Sequence, residues 1–251
     1  MLPPTGRSVA NAISSPLFSW TWLQNIELLA LPFYIEGLDE LQGLHEIISH
    51  AGKLLDLRLS LAGSRFDREL NKKLHDTAQS DGLLLKTMFS HTTPFGNGPA
   101  LSIAKLSLSC TPLQYETRNI TAVIDFGGLQ RLNMHNCKDS GTLLNALTAK
   151  ISTIHPDMRV FSYAGQPLDA GTIEGFLKVL RKLTSLRLRY SKQGHFNLTC
   201  LQPHAKNLVE IVLHVNAEHY HQGVVHPLTL HDLVLLCQQC TKLQKVALAL
   251  P

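Results

Sequence analysis

The sequence is poor in the features that define several classes of protein. It holds five cysteines among 251 residues, an odd number at irregular spacing, which argues against a disulfide framework. Its most apolar early stretch, residues 17–34, is broken by Gln24, Asn25 and Glu27 and falls short of the ~20 apolar residues that cross a membrane. The first residues, Met1-Leu-Pro-Pro, lack the regions of a signal peptide. We therefore expect a cytoplasmic or nuclear protein without membrane association.

Catalytic motifs are also missing from the sequence. It contains no G-x-S-x-G, H-E-x-x-H, Walker or dinucleotide-binding motif. Gly96-Asn-Gly98 has too few glycines for a phosphate loop. Basic residues are not interleaved with aromatic ones, so single-stranded nucleic acid has little support as a ligand. We expect a chain that is not an enzyme and that has no cofactor.

Two groups of potential metal ligands are better explained without a metal. Cys237-Gln-Gln-Cys240 lies late in a predicted amphipathic helix, beside Leu233 and Leu236, so we expect both cysteines to be buried core residues. Five histidines crowd a short segment with only Glu218 and Asp232 as companions: His214, His219, His221, His226 and His231. A zinc site needs three or four converging ligands, and we expect no metal there.

What the sequence does contain is a repeated apolar pattern. The stretch Leu129–Cys137 reads L-x-x-L-x-M-x-N-C, close to the leucine-rich repeat pattern L-x-x-L-x-L-x-x-N/C. Eight stretches carry apolar residues at offsets 0, 3 and 5, and they begin at Leu23, Leu54, Ile103, Leu129, Met158, Leu183, Leu208 and Leu243. The steps between them are 31, 49, 26, 29, 25, 25 and 35 residues, near the usual period of about 20–29.

This period predicts an α/β leucine-rich-repeat solenoid, a curved horseshoe segment with parallel concave strands and outer helices. Residues 1–20 are an irregular lead-in, and 21–251 form the repeat domain of about eight repeats, with an inserted segment at 62–100. The first strand is predicted at 22–29. Helices are predicted at 37–49, 141–151, 172–180 and 229–240, because apolar residues recur there at helical spacing. One unit of strand, connection and helix cannot bury its apolar stripe alone, so we expect neighbouring units to stack and bury it between them.

The repeats carry a family resemblance. At Leu129–Cys137, in Leu183-Thr-Ser-Leu-Arg-Leu and in Cys240-Thr-Lys-Leu-Gln-Lys-Val, the chain resembles the leucine-rich repeats of F-box proteins and ribonuclease-inhibitor-like folds, in a style similar to fungal proteins of this kind. The resemblance implies that the repeats bind protein partners. In F-box members the repeats select substrates for a ubiquitin ligase. Residues 1–20 are too short for an F-box, so the chain departs from that family there.

The residues predicted to bind a partner follow from the strand pattern. Side chains alternate along a strand, so those between the core positions line the concave face. From Asn25 and Glu27 through to Lys245, this face is predicted to hold six Lys or Arg and three Asp or Glu. The partner-binding residues selected from it are Arg58, Lys105, Arg131, Asn133, His135, Arg187, Arg189 and His214. Arginine suits an acidic partner because its planar fork pairs with carboxylates.

The favoured function is a non-catalytic protein–protein interaction scaffold, with substrate recognition for a ubiquitin ligase as the version implied by the resemblance. The alternative is a basic solenoid that binds nucleic acid or an anionic ligand along Lys178–Lys192, since seven Lys or Arg and no Asp or Glu lie between Gly175 and Val209. A third hypothesis is that the chain is a regulatory part of a larger enzyme. The last strand has no cap after it, so we expect further sequence or a second subunit beside it.

Overall fold

The computed structural model describes residues 27–32, 53–60, 101–111, 113–165, 168–190, 197–215 and 230–248. Within this part the protein is α/β, with one parallel sheet of eight strands. The strands of this sheet are β1 (Leu28–Pro32), β2 (Asp56–Ser60), β4 (Lys105–Ser109), β6 (Arg131–His135), β7 (Val160–Ala164), β8 (Ser185–Tyr190), β9 (Glu210–Val215) and β10 (Lys245–Leu248). Two short strands, β3 (Leu101–Ser102) and β5 (Ile124–Asp125), pair separately.

Strand order in the large sheet follows the chain, and every pair is parallel. The register places equivalent repeat positions side by side, as in the buried line Leu57, Leu106, Leu132, Phe161, Leu186 and Ile211. β2 pairs directly with β4. The step of 49 residues therefore joins neighbouring strands, as expected for one period with an insertion.

The same backbone contact recurs at each of the seven junctions between the described strands. The carbonyl oxygen of one residue accepts hydrogen bonds of 2.8–3.1 Å from two successive N–H groups at the start of the next strand. The accepting residues are Glu27, Leu55, Ala104, Gln130, Arg159, Thr184 and Val209. Six of them occupy offset 1 of a predicted repeat, so the sequence period and the hydrogen-bond period coincide there.

The exception is the first repeat, where the strand predicted at 22–29 is displaced: Glu27 lies outside the strand, and residues 22–26 are not among the described residues. β1 begins at Leu28 and places Leu29 opposite Leu57 and Leu31 opposite Leu59. Leu28, predicted to lie in the core, is 50% exposed. Glu27 provides the junction carbonyl, so the repeat begins at Ile26 instead of Leu23, and its step to Leu54 shortens to 28 residues.

Two predicted helices are confirmed and a third is partly correct. α2 (Ser140–Ile154) and α3 (Ala170–Val179) correspond to the helices predicted at 141–151 and 172–180. The apolar residues that recur at helical spacing in the two predicted ranges are all buried: Leu143, Leu144, Leu147, Ile151, Ile173, Phe176, Leu177 and Leu180. α4 (Leu230–Gln239) buries Leu236, and Cys240 after it is buried too, but Cys237 is exposed. The predicted helix at 37–49 lies outside the described residues.

One helix was not predicted. α1 (Leu113–Val123) buries Leu113, Ile120 and Val123. Three apolar positions are too few to reveal a helical period in a mostly polar segment. The buried Thr117 hydroxyl donates to the Leu113 carbonyl at 2.7 Å, a contact that satisfies a polar group inside the helix. None of the described helices has the length and apolar character needed to cross a lipid bilayer.

The core lies between the sheet and the helices. Its largest buried side chains include Phe126, Phe161, Tyr163 and Phe176, and the rings of Phe161 and Phe176 meet edge to face with centroids 4.9 Å apart. The buried Cys137 thiol donates to the carbonyl of Leu108 on the neighbouring strand at 3.4 Å. Burial raises the pKa of that thiol. Among the described residues, the core therefore lies on one face of the sheet.

Candidate functional site

The other face of the sheet carries the side chains that alternate with the core residues, and we call it the open face. Across β2 to β10 it holds Asp56, Arg58, Ser60, Lys105, Ser107, Ser109, Arg131, Asn133, His135, Val160, Ser162, Ala164, Ser185, Arg187, Arg189, Glu210, Val212, His214, Lys245 and Ala247. All eight residues predicted to bind a partner lie on it.

The charge of the open face differs from the prediction. Glu27 precedes β1, Asn25 lies outside the described residues, and the register gives Leu28 and Ala30 the face positions of that strand. The described face then holds six cations and two carboxylates, Asp56 and Glu210. It is more positive than the sequence indicated, because the first repeat was assigned three residues too early.

One carboxylate is held at the β2 side of the face. Asp56 is only 6% exposed. Arg58 donates to it through Nε at 3.2 Å and Nη2 at 2.8 Å, and this hydrogen bond raises the pKa of Arg58. Lys105 Nζ, on the paired strand, lies 3.7 Å from Asp56 Oδ2. These three residues, which we call the Asp56 cluster, contain two cations and one carboxylate.

A similar arrangement lies further along the sheet, on β8, β9 and β10. Glu210 accepts from the Ser185 hydroxyl at 2.7 Å, from Arg187 Nε at 3.1 Å and from Arg187 Nη2 at 2.9 Å. Lys245 is its register neighbour on β10. The hydrogen bond from Ser185 contributes most to lowering the pKa of Glu210, and Arg187 and Lys245 lower it further. Arg187, Glu210 and Lys245, the Glu210 cluster, again combine two cations with one carboxylate.

This arrangement makes a direct prediction for Glu210. Replacing Ser185 with alanine removes the contact that contributes most to the lowered pKa, so we expect the pKa of Glu210 to rise toward its ordinary value. A side-chain carboxyl NMR titration measures it. Ser162→Ala is the matched control, since Ser162 lies in the central part of the face and forms no hydrogen bond with Glu210. An unchanged Glu210 pKa in Ser185→Ala would contradict the assignment of that cause.

Between the two clusters the face carries short polar side chains and two further arginines. Asn133 Nδ2 donates to Ser107 Oγ at 3.0 Å, and His135 Nδ1 lies 3.4 Å from Ser109 Oγ. Arg131 and Arg189 are exposed and form no ion pair with any residue in the described ranges. They are the two arginines of this face that no carboxylate in those ranges engages.

The predicted basic run Lys178–Lys192 does not form one surface. Arg187 and Arg189 lie on the open face, whereas Lys178 is in the last turn of α3. Lys182 Nζ lies 3.3 Å from Asp157 Oδ1 in the loop before β7. Lys192 is outside the described residues. The run is continuous in sequence, but the strand β8 separates its members in space.

The other candidate sites are also dispersed. Among the described residues, no group of three or more His, Cys, Asp or Glu is placed to hold a metal ion. His219, His221 and His226 lie outside those residues, and His231 is exposed on α4. Cys237 is exposed while Cys240 is buried, so the expectation of two buried core cysteines is wrong for the first. Val234, one turn earlier on α4, is exposed as well, at 45%.

Comparison with known proteins adds no family to this description. A scan against protein-family models, a search of curated proteins and a search of solved structures each found no match. The repeats and the geometry of the open face are therefore the features that indicate a function.

Proposed function

We propose that the chain is a leucine-rich-repeat solenoid whose open face is the concave surface of a curved segment. The recurring junction carbonyls and the sequential parallel register support this architecture, because both repeat with the apolar pattern. Solenoids of this kind offer long binding surfaces. On this proposal the protein is a non-catalytic module that recognises an acidic segment of a protein partner.

The observation that carries the proposal is the excess of cations on the open face. Six cations face two carboxylates, and an arginine on the same face already engages each carboxylate. Arg131 and Arg189 remain without an acidic partner in the described structure. An acidic segment would supply the missing charge, and its carboxylates would pair with these guanidiniums through charge-assisted hydrogen bonds.

A protein partner is favoured over nucleic acid for two reasons. The basic run is split between different surfaces, and the open face also carries the half-buried apolar side chains of Val160, Ala164 and Val212. Protein interfaces combine apolar contact with polar and arginine contacts. Selection of substrates for a ubiquitin ligase, and regulation of a larger enzyme, are specific versions of this function. The first of these follows from the F-box resemblance alone.

The test uses charge reversal on the open face. Sixteen-residue Gly/Ser peptides carrying four Glu, four Lys or neither are titrated into the protein and followed by NMR chemical shifts. We expect the acidic peptide to bind best and Arg131→Glu/Arg189→Glu to weaken it by about tenfold or more, a change of about 1.4 kcal/mol per factor of ten. The shifts should fall on β6 to β8.

The matched control, Lys206→Glu/Lys242→Glu, reverses the charge of two exposed lysines in the turns before β9 and β10. This pair changes the net charge equally and should leave most of the affinity. Equal loss of affinity in both double variants would show that net charge alone causes the effect, and it would contradict a defined site. A sixteen-nucleotide single strand that binds more tightly than the acidic peptide, with a steep salt dependence, would favour the nucleic-acid alternative.

A further inference from the structure

The Asp56 cluster and the Glu210 cluster have the same components, although Arg58 lies on the strand of Asp56 and Arg187 lies on the strand before Glu210. In each, an arginine uses Nε and Nη2 to hold a carboxylate, which leaves its Nη1 donors unused by that contact. In each, a lysine on the strand after the carboxylate is its register neighbour, Lys105 for Asp56 and Lys245 for Glu210. Two cations and one carboxylate leave each cluster short of one anion.

The two arginines stand at the ends of one straight row across the strands. Register pairing aligns Arg58 on β2, Ser107 on β4, Asn133 on β6, Ser162 on β7 and Arg187 on β8. The three residues between the arginines are short, so no large side chain stands between the guanidiniums. Four strand spacings of about 4.8 Å separate the two arginines by about 19 Å.

The distance between the two arginines sets the number of residues that a bound segment needs to reach from one to the other. An extended chain advances about 3.3 Å per residue, so about six residues cover the distance. We propose that an extended segment of the partner crosses the strands along this row and places one carboxylate at each cluster, with the two acidic residues about six positions apart. The inference rests on the proposed function of the open face and adds the conformation and the acidic spacing of the bound segment.

Both clusters are prepared for such a ligand. An arginine already fixed by a carboxylate loses little side-chain freedom when it donates to a second acceptor, and this lowers the cost of binding. Arg58 and Arg187 remain about half exposed, with side-chain exposures of 52% and 55%. The serines and Asn133 between them offer hydrogen-bonding groups to the backbone of a crossing segment.

The experiment varies the spacing of two carboxylates at constant composition. Three end-blocked Gly/Ser peptides of equal length carry two Asp residues at i and i+2, at i and i+6, or at i and i+10. We expect the i+6 peptide to bind about fivefold or more tightly than the other two in an NMR titration, with shifts in β2, β4 and β8 to β10. Lys105→Gln/Lys245→Gln should remove that advantage, while Lys206→Gln/Lys242→Gln should keep it.

The outcomes separate this inference from the function it rests on. Equal affinity for all three spacings, together with a loss in Arg131→Glu/Arg189→Glu, would overturn the crossing segment and leave the acidic-partner function standing. Failure of every acidic peptide to bind would overturn both. A helix covers the same length in about 13 residues, so tighter binding of a helix-forming peptide with Asp at i and i+13 would overturn the extended conformation.

Discussion

Replacing Phe161 with alanine is expected to lower the free energy of unfolding by about 3–5 kcal/mol, because it removes a fully buried aromatic ring and leaves a cavity. Phe161 is 0% exposed and its ring meets Phe176 at 4.9 Å between centroids. The position lies on β7, in the middle of the described sheet, with strands on both sides. A loss of this size is a large part of the about 5–15 kcal/mol by which domains are stable.

The chain offers a matched control at the same repeat position. Val246 on β10 stands in the register line of Phe161 but is 39% exposed. We expect Val246→Ala to lower the free energy of unfolding by less than about 1 kcal/mol, since little of its surface is removed from water. Urea denaturation followed by circular dichroism measures both variants. Comparable losses would show that the two strands bury this position equally, against the described packing.

Acid is expected to destabilise the fold through His204. Its side chain is 0% exposed, Nε2 donates to the Leu177 carbonyl at 2.9 Å, and Nδ1 has no hydrogen-bond partner among the described residues. The neutral imidazole fits this site. A second proton would place a buried N–H on Nδ1 without an acceptor, and burial accordingly lowers the pKa of His204 below its ordinary value of 6.5.

The direction of the pH dependence follows from that shift. The unfolded chain takes up a proton on this residue near pH 6.5, whereas the folded chain does so only at lower pH. The stability due to neutral His204 is therefore complete above pH 6.5. It is lost as pH falls from there toward the folded pKa, at no more than about 1.4 kcal/mol per pH unit for one proton.

His204→Gln tests this effect because glutamine retains an N–H donor for the Leu177 carbonyl and does not titrate. Unfolding free energies are measured from pH 7.5 to 5. We expect the wild-type curve to fall more steeply than that of His204→Gln below pH 6.5. His231→Gln is the control, since His231 is exposed on α4 and its variant should follow the wild type. Parallel curves for wild type and His204→Gln would refute the prediction.

Much of the sheet was predictable because burial acts at short range along the sequence. A strand that packs one face on helices needs apolar residues at fixed offsets, and from Leu54 to Leu208 these offsets identify buried positions in the structure. The same reasoning identified α2 and α3, whose inward leucines recur at helical spacing. α1 was missed because one of its four buried positions in the described part is Thr117, which local sequence does not distinguish from a surface residue.

Features set by contacts between distant residues were not predictable. The first repeat fits the apolar pattern equally well from Leu23 or Ile26, and the hydrogen bonds from residues 55 and 56 to Glu27 distinguish the two. The open-face residues were predicted from alternation alone. The pairing of Arg187 with Glu210 depends on the register between β8 and β9 across 23 residues, so the sequence indicated four equivalent arginines where the structure distinguishes paired from unpaired ones.

The junction contacts separate two properties that evolution can change independently. The bifurcated carbonyl contact joins β2 to β4 across a step of 49 residues and β7 to β8 across a step of 25, with N···O distances of 2.8–3.0 Å in both. The distance along the chain between strands thus leaves their pairing unaltered. Insertions and deletions between strands can accumulate without moving the residues of the open face, and substitutions at those residues can change the chemistry of that face without disturbing the sheet.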